Sequence, residues 1–86
     1  MARIAKKPNH EYFIAAVQDA LRVLETVADG PALGQRIVEI AELAGVTSDF
    51  ARRALLTLEH RRYVRRNPNG GWTLGEAAAA LTKKLK

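Results

Sequence analysis

Residues 37–63, IVEIAELAGVTSDFARRALLTLEHRRY, decide the fold. Ile37, Ile40, Ala41 and Leu43 or Ala44 recur at helical spacing, with Glu39 and Glu42 on the opposite side, which predicts a helix over 37–44. Gly45 follows as a left-handed helix stop, and Val46 anchors the turn in the core. Thr47 is placed to cap the next helix, with Asp49 in its favourable first turn. That second helix, over 48–61, buries Ala51, Ala54, Leu55 and Leu58. The small residues Ala41, Ala51 and Ala54, set around Gly45, are what a close helix-on-helix crossing requires. The pattern is a helix-turn-helix, and its second helix turns paired arginines, Arg52 and Arg53, away from the core.

Outward from this stretch, the chain supplies supporting elements. Ahead of it, a helix over 10–28 is predicted, with Asn9 as its cap and Glu11 in its first turn. Ile14, Val17, Leu21, Leu24 and Val27 form the stripe expected to face the core. Tyr12 and Phe13 extend the apolar surface; packing on the chain's own helices is the first expectation, and a dimer contact the second. Residues 1–8 read as a flexible basic arm, and 9–86 as one domain. Behind the stretch, strands over 63–66 and 72–74 flank the turn cluster Asn67-Pro68-Asn69-Gly70-Gly71, which spells a hairpin with Trp72 covering its inner face beside Tyr63. A last helix over 76–85 carries Leu81 and Leu85 on one side, and Lys83, Lys84 and Lys86 at its negative end. Helix, helix, turn, helix, hairpin, helix is the order of a winged helix-turn-helix, mostly α with a small β-hairpin.

Composition narrows the function. Eighty-six residues suffice for one small domain. Without cysteine, and with His10 and His60 in no ligand spacing, neither a disulfide framework nor a metal site is expected. No phosphate-binding glycine loop, nucleophile–histidine pair or carboxylate pair is evident, so no enzyme activity and no cofactor are expected. No apolar run approaches a membrane span of about 20 residues. With no secretory pattern at Met1–Lys7, a cytoplasmic location is expected. The net charge of +5 is unevenly placed: residues 1–49 hold five basic and seven acidic side chains, residues 50–86 nine and two. That asymmetry favours a polyanion docking on the C-terminal half, against the alternative of a solvated basic face.

At this point the sequence resembles the N-terminal DNA-binding domain of IclR-type bacterial transcription regulators, from about Val17 to Leu81. VQDALRVLETVADG is similar to the family's "ALRILE" helix, IVEIAELAGVTSDFARRALLTLE to its "ELA…G" and "RLLxTLE" helices, and YVRRNPNGGWTLG to its wing with a terminal "LG" pair. The resemblance implies a double-stranded DNA partner. It places the base-reading positions on Ser48, Asp49, Phe50, Arg52 and Arg53; a homodimer is expected of a DNA-binding regulator of this kind. Arginine can pair bidentately with guanine, Asp49 can accept from cytosine while repelling phosphate, and Phe50 can touch a thymine methyl or instead pack inward. Thr47, Arg61, Arg62, Arg65, Arg66 and Asn69 are expected on the DNA backbone or at the wing.

The sequence departs from the family in two places. Arg62 stands where the family has a glycine before the wing tyrosine, so a different ending for the recognition helix is expected, with added charge near the phosphates. The effector-binding domain that follows in the family is not among these 86 residues, which leaves open a stand-alone regulator, such as a phage or mobile-element protein, or an excised domain. A sequence-specific transcriptional regulator is the reading this favours. Its alternatives are an architectural or recombination-accessory protein using the same domain, and a protein-interaction module that engages a polymerase or recombinase.

Overall fold

A computed structural model describes residues 12–85 of the chain. Its order is α1 (Ala15–Asp29), α2 (Ile37–Ala44), α3 (Ser48–His60), β1 (Val64–Arg66), β2 (Trp72–Leu74) and α4 (Glu76–Lys83). The strands pair antiparallel, with Val64 opposite Leu74 and Arg66 opposite Trp72. This is the winged helix-turn-helix that the sequence predicts. Among the described residues no helix is long and apolar enough to cross a membrane.

The core takes one fully buried large side chain from each of the first five elements: Val23, Ile40, Leu55, Val64 and Trp72. Each such burial stabilises by roughly 1.5–3 kcal/mol. Ala44 and Ala54 close the gaps between helices, and Leu24, Ile37, Val46, Phe50 and Leu58 pack around the edge. The choice between Leu43 and Ala44 resolves to Ala44, with Leu43 68% exposed. Helix α4 buries no residue and hangs on β1.

Helix α1 departs from its sequence reading. It begins at Ala15, not residue 10, after Ile14 in an extended conformation. The aromatic and β-branched run Tyr12-Phe13-Ile14 is poor helix material, whereas Ala15-Ala16 is the best. Asn9, Glu11 and the arm over 1–8 lie outside the described residues. The expected core stripe also divides. Val23 and Val27 are buried with Leu24 and Ala20 beside them, while Ile14, Val17 and Leu21 are half or more exposed. At 3.6 residues per turn, positions 14, 17 and 21 share one edge, and 20, 23 and 27 share another roughly 100° away. Only the second edge meets α2 and α3. Tyr12, 71% exposed, and Phe13, 44% exposed, continue the open edge towards the start of the described residues.

The wing has an anchor that periodicity does not reveal. Gln35 bridges to Trp72, whose N–H donates to the Gln35 carbonyl at 2.9 Å. The α1–α2 connector thereby acts as a third, one-residue strand.

Candidate nucleic-acid interface

The helix-turn-helix is assembled by backbone chemistry at its two ends. Gly45 adopts φ 76°, ψ 32°, and the N–H groups of Gly45 and Val46 return to the Ala41 carbonyl at 2.9 and 3.0 Å. The chain then turns sharply enough for Thr47 to begin α3, where its Oγ1 accepts the Phe50 N–H at 3.0 Å. Ala41 and Ala51 are buried at the crossing, as their size requires.

Arg62 makes contacts within the protein that its sequence reading does not disclose. It adopts the left-handed conformation that glycine favours, despite its side chain, with φ 66°. Arg62 N–H bonds to the Glu59 carbonyl and Tyr63 N–H to the Leu58 carbonyl, both at 2.9 Å, which is the Schellman ending that a glycine would give. The helix therefore ends in a glycine-type turn although arginine occupies the position. The long side chain instead reaches forward, Nη1 donating to Glu76 Oε2 at 2.9 Å, while the Arg62 carbonyl accepts the Ala77 N–H at 2.9 Å. Arg62 thus ties the end of α3 to the start of α4.

The burial of Ala51, Ala54 and Leu55 sends Ser48, Asp49, Arg52 and Arg53 to the outer face of α3, all exposed. Arg53 Nε donates to Asp49 Oδ2 at 3.2 Å, and Arg52 Nη2 lies 3.8 Å from Asp49 Oδ1. One carboxylate therefore holds both arginines. Phe50 is half-buried against the core, so of the five positions expected to read bases it is the one turned towards the protein.

The wing residues divide by their contacts. Arg61 and Arg65 are exposed, and no carboxylate among the described residues pairs with either. The Arg66 guanidinium lies 5.2 Å from the centre of the Trp72 ring, a cation–π contact that fixes its stem to the sheet. Asn69 is occupied within the protein: Oδ1 accepts the Gly71 N–H at 2.8 Å and Nδ2 donates to the Leu33 carbonyl at 3.2 Å. Asn67 makes a parallel tie to Leu33 at 3.3 Å and accepts from Thr73 Oγ1. Sequence reasoning missed Arg36, whose Nη2 donates to the Asn69 carbonyl at 3.0 Å. Its position in the acidic half of the chain concealed it, and only the pairing of residues 33 apart reveals it.

Arg52 and Arg53 on α3, and Arg36, Arg61, Arg65 and Arg66 in or beside the wing, are all exposed, and exposed cations of this number suit a polyanion. No group of three or more metal-binding side chains occurs among the described residues. A groove does occur, along the open edge of α1 between Tyr12 and Glu25, but it is apolar and lies on a different helix from the arginine pair.

Comparison with known proteins accords with this geometry. The profile of the IclR helix-turn-helix domain matches residues 16–68, more than half of the chain. Among solved structures, the chain is similar to an IclR transcriptional regulator from Alicyclobacillus acidocaldarius, with a TM-score of 0.76 and 29% identity over 86% of this chain. It spans 30% of that regulator's length. None of the curated proteins matches the sequence.

Proposed function

Because the chain belongs to the IclR helix-turn-helix domain family, a family of DNA-binding regulators and not of enzymes, we propose that it binds duplex DNA sequence-specifically as the reading head of a transcriptional regulator. The observation that carries this reading is the outer face of α3, where Arg52 and Arg53 stand clear of the core on a helix of 13 residues. A helix of that diameter fits the major groove. Ser48, Asp49, Arg52 and Arg53 meet base edges, while Arg61, Arg65 and Arg66 contact phosphates along the wing. The contacts between Asp49 and the arginines are more than half exposed, so each is worth well under about 1 kcal/mol and a guanine edge can displace it. Phe50 is half-buried, which takes from the protein-interaction alternative one of the exposed aromatics that motivated it.

The open edge of α1 supports a homodimer. Ile14, Val17 and Leu21 make an apolar line that the described residues leave half or more exposed. A two-fold pairing there would present two α3 helices to an inverted repeat with half-sites about 34–36 Å apart.

The test is selection of sites from random duplex DNA, followed by binding measurements on Arg52→Ala and Arg53→Ala. Each variant should lose about 1–3 kcal/mol on the selected site and relax one base position. Wild-type affinity and selectivity in both variants would refute the assignment of α3 as the reading helix.

A further inference from the structure

We propose that Arg36, an upstream residue, supplies the cation with which the wing tip meets a DNA phosphate. The inference rests on the DNA-binding reading and adds a contact residue to it. The tip itself, Asn67-Pro68-Asn69-Gly70-Gly71, carries no charge. Its polar side chains are already committed, Asn69 to Gly71 N–H and the Leu33 carbonyl, and Asn67 to the Leu33 carbonyl and Thr73. A hairpin whose end is spent on internal hydrogen bonds has little left with which to hold a phosphate.

Arg36 fills that vacancy from the other side of the sheet. Gln35, its neighbour, is bridged to Trp72, which fixes where the Arg36 side chain starts. Nη2 donates to the Asn69 carbonyl at 3.0 Å, bringing the guanidinium onto the tip. Gly70 leaves room for it: a Cβ there would stand 3.2 Å from Arg36 Nη1, and φ is +89°. The Glu39 carboxylate, three residues on, accepts the Arg36 backbone N–H at 3.0 Å. No carboxylate among the described residues forms an ion pair with the guanidinium.

Of the five N–H donors of an arginine, one is used to hold position, and the side chain is exposed. A guanidinium held in this way has less rotamer freedom to lose when it meets a phosphodiester oxygen. The wing is therefore a composite. Its backbone comes from residues 64–74, and the charge at its end comes from residue 36.

The experiment is a salt titration of duplex binding for wild type, Arg36→Ala and Arg36→Lys, using a site selected by the wild-type protein. Each phosphate contact contributes roughly −0.9 to the slope of log affinity against log salt. Arg36→Ala should flatten the slope by about that amount, and weaken selected and unrelated duplexes by the same factor. Arg36→Lys keeps a charge without the fork and should restore most of the slope. A steep wild-type slope left unchanged by Arg36→Ala would overturn the assignment. So would equal loss in the alanine and lysine variants, which would mean that Arg36 acts only by holding the wing in shape. A wild-type protein with no salt-dependent DNA binding would remove the DNA reading itself, and this contact with it.

Discussion

Two left-handed glycines, Gly34 and Gly45, separate conformational strain from steric approach, and replacing each with alanine measures the two independently. Gly45 has φ +76°, and the nearest atom to an added Cβ is the end of the Arg22 side chain, Nη2 at 3.1 Å. That side chain can swing aside. The cost is then the left-handed conformation, about 1–2 kcal/mol, reduced by about 0.4–1 kcal/mol because alanine stiffens the unfolded chain. A net loss of about 1 kcal/mol follows, or about 4–8 °C in Tm for a domain of this size.

Gly34 has the same backbone requirement at φ +89°, but its Cβ would sit 2.8 Å from Trp72 N and 2.9 Å from both Gly71 C and the Trp72 carbonyl oxygen. These are backbone atoms of the wing and cannot move without separating Trp72 from Gln35. Overpacking adds about 1–3 kcal/mol, and the lost Trp72–Gln35 hydrogen bond about 1 kcal/mol. Added to the left-handed cost of about 1 kcal/mol, these make Gly34→Ala cost about 3–5 kcal/mol, and lower Tm by about 12–40 °C. Thermal and urea unfolding followed by circular dichroism gives both values. Trp72 is the only tryptophan, so its fluorescence reports independently on the wing. If Gly34→Ala destabilises no more than Gly45→Ala, the connector does not clasp the wing, and the steric argument fails.

Arg62→Gly relieves left-handed strain of about 1–2 kcal/mol, returns about 0.4–1 kcal/mol to the unfolded chain, and loses an ion pair with Glu76 that is over 70% exposed on both sides and worth a few tenths at most. Tm should rise by about 2–4 °C; a fall of that size would show that Arg62 fixes α4 far more firmly than an exposed contact can. Leu21→Glu, at a position half exposed in the monomer, should leave the helical spectrum intact and convert a dimer to a monomer in sedimentation equilibrium. A wild-type protein that is monomeric at every concentration, or a variant that still dimerises, would take α1 out of the interface.

What the sequence discloses well is chemistry confined to a few neighbours along the chain. Gly45 needs a left-handed turn, Thr47 needs a donor three residues on, and Ala51 and Ala54 need a close partner helix. Each leaves a residue-type signature at fixed spacing, so α2 and α3 are readable nearly to their ends. The hairpin is readable for the same reason, since its Asn-Pro-Asn-Gly-Gly turn lies between two β-prone runs. Helix α1 is less so. Ile14, Val17, Leu21, Leu24 and Val27 satisfy helical periodicity whether or not a partner covers them, and periodicity does not say which edge the short helix α2 will meet. The connector is not legible at all. Nothing in Leu33-Gly34-Gln35-Arg36 announces that it will accept from Trp72, Asn67 and Asn69, because these contacts depend on the whole core being in place.

Charge shows the same limit more sharply, because its count along the chain and its disposition in space disagree. The basic excess after residue 50 suggested that half as the DNA-facing surface. Yet Arg52 and Arg53 share one carboxylate, Arg62 is paired with Glu76, and Arg66 lies over Trp72. Arg36, from the half with an acidic balance, has no carboxylate partner among the described residues and stands at the wing tip. The exposed pairs on α3 are weak enough to exchange for phosphate or guanine, so Asp49 does not cancel the arginines. It makes their release conditional. In the proposed complex, arginines turned to DNA would leave the Asp49 carboxylate facing the groove, where a cytosine amino group could satisfy it and a phosphate would repel it. On that reading, α3 would gain less from arbitrary DNA than its two arginines alone would give, and would regain the difference only where the base sequence offers Asp49 a donor.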